Sequence, residues 1–166
     1  MPNTLEAPSL TEARAAQNTQ CVALSAFVDR DAVLHYCHVL ARENMAHYLA
    51  ARGRSHDAAQ WFENSTGANF YVIEHAQNRV GFVSTVNNRY STPSLHIGDL
   101  QLAPHARNVG IGSAAIQWVA NEARRSGCTN ITLNVFHDNP AAALYRRHGF
   151  EHIHFDGDKI RMRKFL

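Results

Sequence analysis

Lysine is nearly missing from this chain. Lys159 and Lys164 are the only two, so arginine supplies almost all of the 16 basic residues. Against 14 acidic residues the formal charge is +2, too small to make nucleic acid an expected partner. Cysteine is scarce as well. Cys21, Cys37 and Cys128 are odd in number and widely spaced, which excludes a disulfide framework or a zinc knuckle and leaves buried thiols. No apolar run approaches the ~20 residues that a bilayer span requires, so no membrane partner is expected. The first residues lack the basic-then-apolar pattern of a secretory signal, and a cytoplasmic location is the default expectation. Histidine, by contrast, is plentiful at eleven, but these residues are scattered and no H-E-x-x-H set appears, so no metal is expected.

What is present reads as one globular unit. A chain of 166 residues, 45% hydrophobic and 18% charged, can bury a core as a single domain. Residues 1–18 are polar and alanine-rich without a clear period, and read as a flexible or loosely helical lead-in to a domain at 19–166. "QCVALSAFV" is a first strand. Asp31 then caps a helix to about Arg52, closed by Gly53, and Ser55 caps a second short helix before Gly67. "NFYVIEHA" and "RVGFVSTV" form an antiparallel pair across Gln77-Asn78. After a polar loop closed by Pro93, "LHIGDLQLA" is a fourth strand, in which Gly98 marks a bulge or a close backbone approach. A helix to about Arg125 follows, stopped by Gly127, and then the strand "NITLNVFH". Asn139 as N-cap and Pro140 at the first position begin another helix. Gly149 ends it, with Phe150 folding back on Leu144 or Tyr145. Two closing strands, "FEHIHF" and "KIRMRKF", flank an Asp156-Gly157 turn.

Between the fourth strand and its helix stands "RNVGIGS", where Arg107, Gly110 and Gly112 spell R-x-x-G-x-G. Glycines there let successive backbone N–H groups point outward from a helix N-terminus, which attracts phosphate oxygens with help from the helix dipole and the Arg107 guanidinium. A Walker-type loop would need Lys after the last glycine, and none follows Gly112. The dinucleotide fingerprint is met by Gly110, Gly112 and Ala115. It also asks the strand to run directly into the first glycine, and here Pro104 to Val109 intervene with no acidic residue ending a second strand downstream.

A third reading comes from the ordered pair of motifs. "LQLAPHARNVGIG" followed by "NVFHDNPAAALYRRHGF" resembles the GCN5-related N-acetyltransferase (GNAT) family, with Asn139, Ala142, Tyr145, Gly149 and Phe150 at motif positions. The close resemblance spans 95–155. It implies an α/β fold: a single GNAT-like domain with a mixed, mostly antiparallel central sheet flanked by helices and splayed between strands 4 and 5.

The resemblance further implies acetyl transfer from acetyl-CoA to a primary amine of a small molecule or peptide. Backbone amides of Asn108, Val109, Gly110, Ile111, Gly112 and Ser113 would cradle the cofactor's diphosphate. Leu100 and Leu102 would line the slot, the Leu102 N–H serving the thioester carbonyl as an oxyanion donor. Tyr145 is the candidate general acid. Ala142 lies on the same helix, and Asn139 serves either the cofactor or its own helix. Asp99 is a candidate base or a structural carboxylate, and His137 a second candidate. Asn44 and Tyr48 share a helical face with Met45 that either lines the acceptor site or packs as core. The closing strands could pair in a homodimer. A different class of function, a non-catalytic acyl-CoA sensor, uses the same slot without turnover.

Overall fold

The computed structural model describes residues 9–88 and 92–166. Eight residues of the expected lead-in and part of the polar loop before Pro93 lie outside that range. The elements in chain order are α1 (Leu10–Asn18), β1 (Thr19–Ala23), α2 (Arg30–Ala50), α3 (Ala58–Asn64), β2 (Asn69–His75), β3 (Asn78–Asn88), β4 (Ser94–Leu102), α4 (Ile111–Arg125), β5 (Asn130–Phe136), α5 (Ala141–Arg147), β6 (Glu151–Asp156) and β7 (Lys159–Phe165).

Local chemistry sets several boundaries away from the expected ones. Asp29, not Asp31, caps α2: its carboxylate accepts from the Ala32 N–H at 2.9 Å, leaving Asp31 in the first turn where the dipole favours an acid. Asp57, not Ser55, caps α3 by accepting from Gln60 N–H at 2.9 Å. Pro140 takes the cap position of α5 with helical dihedrals, while Asn139 Oδ1 still accepts from the Ala141 N–H at 2.9 Å. The α1 segment is a capped helix: Ser9 Oγ accepts from the Glu12 N–H, and the Glu12 carboxylate accepts from the Ser9 N–H. The cysteines form no disulfide among the described residues.

The seven strands form one sheet in the order β1-β2-β3-β4-β5-β7-β6. Every neighbouring pair is antiparallel except β4 and β5, which run parallel. That parallel pairing covers only Ser94–Ile97 against Asn130–Leu133. Past it β4 continues to Leu102 and β5 to Phe136 with no mutual pairing, so the sheet splits into a V. Helices α2 and α3 cover one face, with Val33, Cys37 and Leu40 packed on Phe70, Val72 and Phe82. Helices α1, α4 and α5 cover the other, where Ile116 and Val119 pack on Leu95, Ile97 and Leu133.

One bulge decides which side chains of β4 meet which face. Ser84 stands opposite Asp99 and Thr85 opposite Ile97, so Gly98 has no partner. A Cβ there would approach Ser84 Oγ to 3.0 Å, which explains glycine. Because strand side chains alternate, the extra residue flips the phase. Leu95 and Ile97 face α4 before it, and Leu100 and Leu102 face the same side after it. Asp99 and Gln101 are thereby turned toward α2 and α3.

Candidate active site

The V opens into a groove of about 770 Å³ bounded by β4, the loop before α4, the start of α5, one face of α2 and the beginning of α1. Its chemistry starts with the loop. Asn108 (φ 60) and Gly110 (φ 91) are both left-handed, so the chain doubles back into α4. The first N–H of α4 with an intrahelical acceptor is that of Ala114, bonded to Gly110 C=O at 3.0 Å. The amides of Ile111, Gly112 and Ser113 therefore precede the ladder, and no side chain caps the helix at Gly110. Three donors without a partner among the described residues, at the positive end of a 15-residue helix, form an anion seat.

The strand edge supplies the second donor set. Ala103 N–H donates to Val80 C=O at 2.8 Å, which makes residues 103 and 80 a hydrogen-bonded pair. Alternation then turns the N–H and C=O of Leu102 and of Leu100 away from β3, toward the gap that β5 has vacated. The Leu102 carbonyl is taken up there by Asn44 Nδ2 at 3.0 Å and by Arg107 Nε and Nη2, each at 3.2 Å. Arg107 also donates to Asn44 Oδ1 at 2.6 Å. Its guanidinium thus fastens the end of β4 to α2 as well as flanking the amide loop.

Tyr145 projects from α5 into the groove, its ring set by an edge contact with Phe150 at 5.6 Å. Burial, and secondarily the charge of Asp99, hold its phenol above the usual range. Burial likewise pushes the thiols of Cys21 and Cys37 up to about 12. Asn139 borders the groove; with its oxygen committed to capping, its amide N–H groups are what it has left to offer.

Of the residues singled out from the sequence, Leu100, Leu102, Arg107, Asn108, Gly110, Gly112, Ser113, Asn139, Tyr145, Asn44 and Tyr48 all border this groove. Val109 turns its side chain to solvent, and Ile111 and Ala142 are buried in packing. His137 is exposed and does not reach the groove. Asp99 lies behind the groove wall, where burial raises its pKa and the amide of Gln101, the Trp61 indole and His56 lower it. Sequence reasoning missed Gln101, which borders the groove and donates to Asp99 Oδ1 at 3.2 Å. Period-two alternation from Asp99 would have found it. It also missed Glu12, whose carboxylate accepts from Ser113 Oγ at 3.1 Å, while His148 Nε2 meets the same hydroxyl at 2.9 Å.

A family model described as the acetyltransferase (GNAT) family matches residues 34–150. The chain belongs to the GNAT acetyltransferase family. Among solved structures, PaiA N-acetyltransferase from Thermoplasma acidophilum, in complex with coenzyme A, is similar at 16% identity and TM-score 0.66, covering 89% of this chain and 98% of that one. The spermidine/spermine N-acetyltransferase SpeG from Vibrio cholerae is similar at 20% identity and TM-score 0.63, covering 91% and 94%. A GNAT family acetyltransferase from Elizabethkingia anophelis with acetyl-CoA bound is similar at 13% identity and TM-score 0.56, covering 64% and 82%. At these identities the likeness is one of fold. A search of curated proteins gave no match. The GNAT architecture accounts for the V and for the glycine loop at its mouth.

Proposed function

We propose that this chain is an acetyl-CoA-dependent N-acetyltransferase that acetylates a primary amine of a small molecule or peptide by direct attack. One observation carries the reading: the amides of Ile111–Ser113, unpaired among the described residues, and the edge of β4 that β5 leaves open face the same groove, with Tyr145 on its wall. An amide seat at a helix N-terminus suits a diphosphate, and a separated strand edge suits the amide-bearing pantetheine arm. The solved relatives that hold CoA or acetyl-CoA support the same donor.

The bound donor supplies an activated acetyl thioester. The chain's own groups do the rest. Leu102 N–H, turned into the gap, polarises the acyl oxygen; loss of such a donor typically costs ~3–4 kcal/mol. Tyr145 gives its phenolic proton to the departing sulfur. In water a phenol of pKa ~10 protonates a thiolate of reference pKa ~8.5 somewhat uphill. Burial raises the Tyr145 phenol further, so the transfer depends on the hydroxyl being held close to the sulfur. An alkylammonium must also lose a proton, at about 4.6 kcal/mol near neutral pH. Asp99, with a pKa raised by burial, is our acceptor for that proton, which reaches it through water because the carboxylate does not border the groove. Asn44 and Tyr48 face the amine. The exposed outer strand β6 is the surface across which two copies would pair.

The sensor reading draws on one specific observation, that Asp99 does not border the groove. Thiol release measured with acetyl-CoA and a panel of amines separates the two. Turnover with any amine supports the enzyme; tight CoA binding with no release across the panel supports the sensor.

A further inference from the structure

A single hydrogen-bonded chain runs from the amide loop to the partly buried Asp99 carboxylate. Arg107 Nη2 donates to Asn44 Oδ1 at 2.6 Å, Asn44 Nδ2 donates to Gln101 Oε1 at 3.0 Å, and Gln101 Nε2 donates to Asp99 Oδ1 at 3.2 Å. Its two ends determine its direction. A guanidinium can only donate and an ionised carboxylate can only accept, so neither amide between them can turn over without losing a bond at each side. The bulge at Gly98 makes the chain achievable, because it turns both Asp99 and Gln101 toward Asn44 on α2.

We propose that Gln101 is a positioning residue for Asp99, held in its donating orientation by Asn44 and Arg107. It rests on the acyltransfer reading above, in which Asp99 takes the amine's proton. Gln101 stands between the groove and the carboxylate. Its N–H is committed to Asp99, which favours the accepting, ionised form of the carboxylate and fixes its oxygen behind the groove wall. Without Gln101 the carboxylate retains only its neighbours on other elements. Those are His56 and Trp61 at α3, Lys159 on β7, the Cys37 thiol on α2 and the Tyr145 phenol on α5. The same chain ties the carboxylate to the residue that flanks the cofactor loop, so the donor end and the proton-accepting end of the groove share one set of bonds.

The test is the pH profile of kcat/KM for acetyl-CoA and an accepted amine, with acetyl-CoA binding and thermal melts as controls on each variant. In Gln101→Met, similar in size but without a donor, ionised Asp99 loses a charge-assisted hydrogen bond. The acid limb then moves up by about one pH unit, a roughly tenfold loss below the limb, while the alkaline plateau changes little. Gln101→Glu keeps the shape but sets a second carboxylate beside Asp99, and moves the limb further. Asn44→Leu frees the Gln101 amide to turn over, giving an intermediate shift. A limb that stays in place in both Gln101 variants, or a loss equal at every pH, overturns the assignment provided Asp99→Asn abolishes the limb. If Asp99→Asn keeps the parent profile, the base reading itself fails and Gln101 falls with it.

Discussion

Tyr145 and Asp99 occupy different depths, and that difference was invisible in the chain. Tyr145 could be placed by its offset from Asn139 and Gly149, because helical spacing carries through α5. Asp99 sits one residue past a bulge, and no spacing rule says which face a bulge selects. Gln101 shares its face two residues on, so alternation places it beside Asp99 once that face is known. The Arg107 interactions were also illegible, since its partners Asn44 and Leu102 O lie on other elements. Tyr145→Phe removes only the phenolic proton from a ring otherwise held by Phe150. It should lower kcat by about 10²- to 10³-fold in steady-state assays while acetyl-CoA affinity changes little. Full turnover in that variant would remove the acid role.

At the scale of elements, the sheet was largely readable and the first helix was not. Strands β2 to β7 came out in their places because alternation and turn residues mark each one. The first strand, expected to run on to Val28, instead stops at Ala23 and gives way to a single 3-10 turn at Leu24–Ala26. The split between β4 and β5 followed from the family resemblance, and the structure shows its cause, pairing that stops at Ile97 and Leu133. The α1 segment shows no apolar period because only Ala15 along it is buried. It nevertheless packs against the loop. A Cβ on Gly110 would stand 3.0 Å from Ala15 Cβ and 3.1 Å from Glu12 Cα, at a backbone φ of +91°. Gly110→Ala should therefore both strain the loop and push α1 aside, lowering the melting temperature and weakening acetyl-CoA binding at least tenfold in calorimetry. Ser9→Ala removes half of the α1 capping box and should cost about 1 kcal/mol, a fall of about 2–4 °C in a chain of this size. A melt unchanged by Ser9→Ala would mean that α1 frays without consequence.

The whole molecule carries a pH signature that does not depend on function. His96 is partly buried beside Thr132, and desolvation, followed by the charges of Arg161 and Lys159, lowers its pKa to about 4. Burial lowers His38, His56 and His148 as well. A histidine depressed in the fold but free at ~6.5 when unfolded leaves stability intact above pH 6.5 and removes it as pH falls toward the folded value. His96 alone is worth about 3 kcal/mol across that window. Asp99, raised in the fold, acts with the opposite sign, contributing stability that is lost as pH rises through its folded value. Urea midpoints measured from pH 7 to pH 4.5 should fall steadily; flat midpoints would contradict the buried neutral histidines. The abundance of histidine was plain in the sequence, whereas burial is a property of the packed chain and was not.

For the site itself, the most direct measurement is calorimetric competition between acetyl-CoA and acetyl-pantetheine, which carries the same thioester without the diphosphate. If the amides of Ile111–Ser113 hold that diphosphate, acetyl-CoA binds one per chain with an affinity between micromolar and millimolar, and acetyl-pantetheine at the same concentration fails to displace it. Equal displacement by acetyl-pantetheine, or no binding of acetyl-CoA at all, would contradict it.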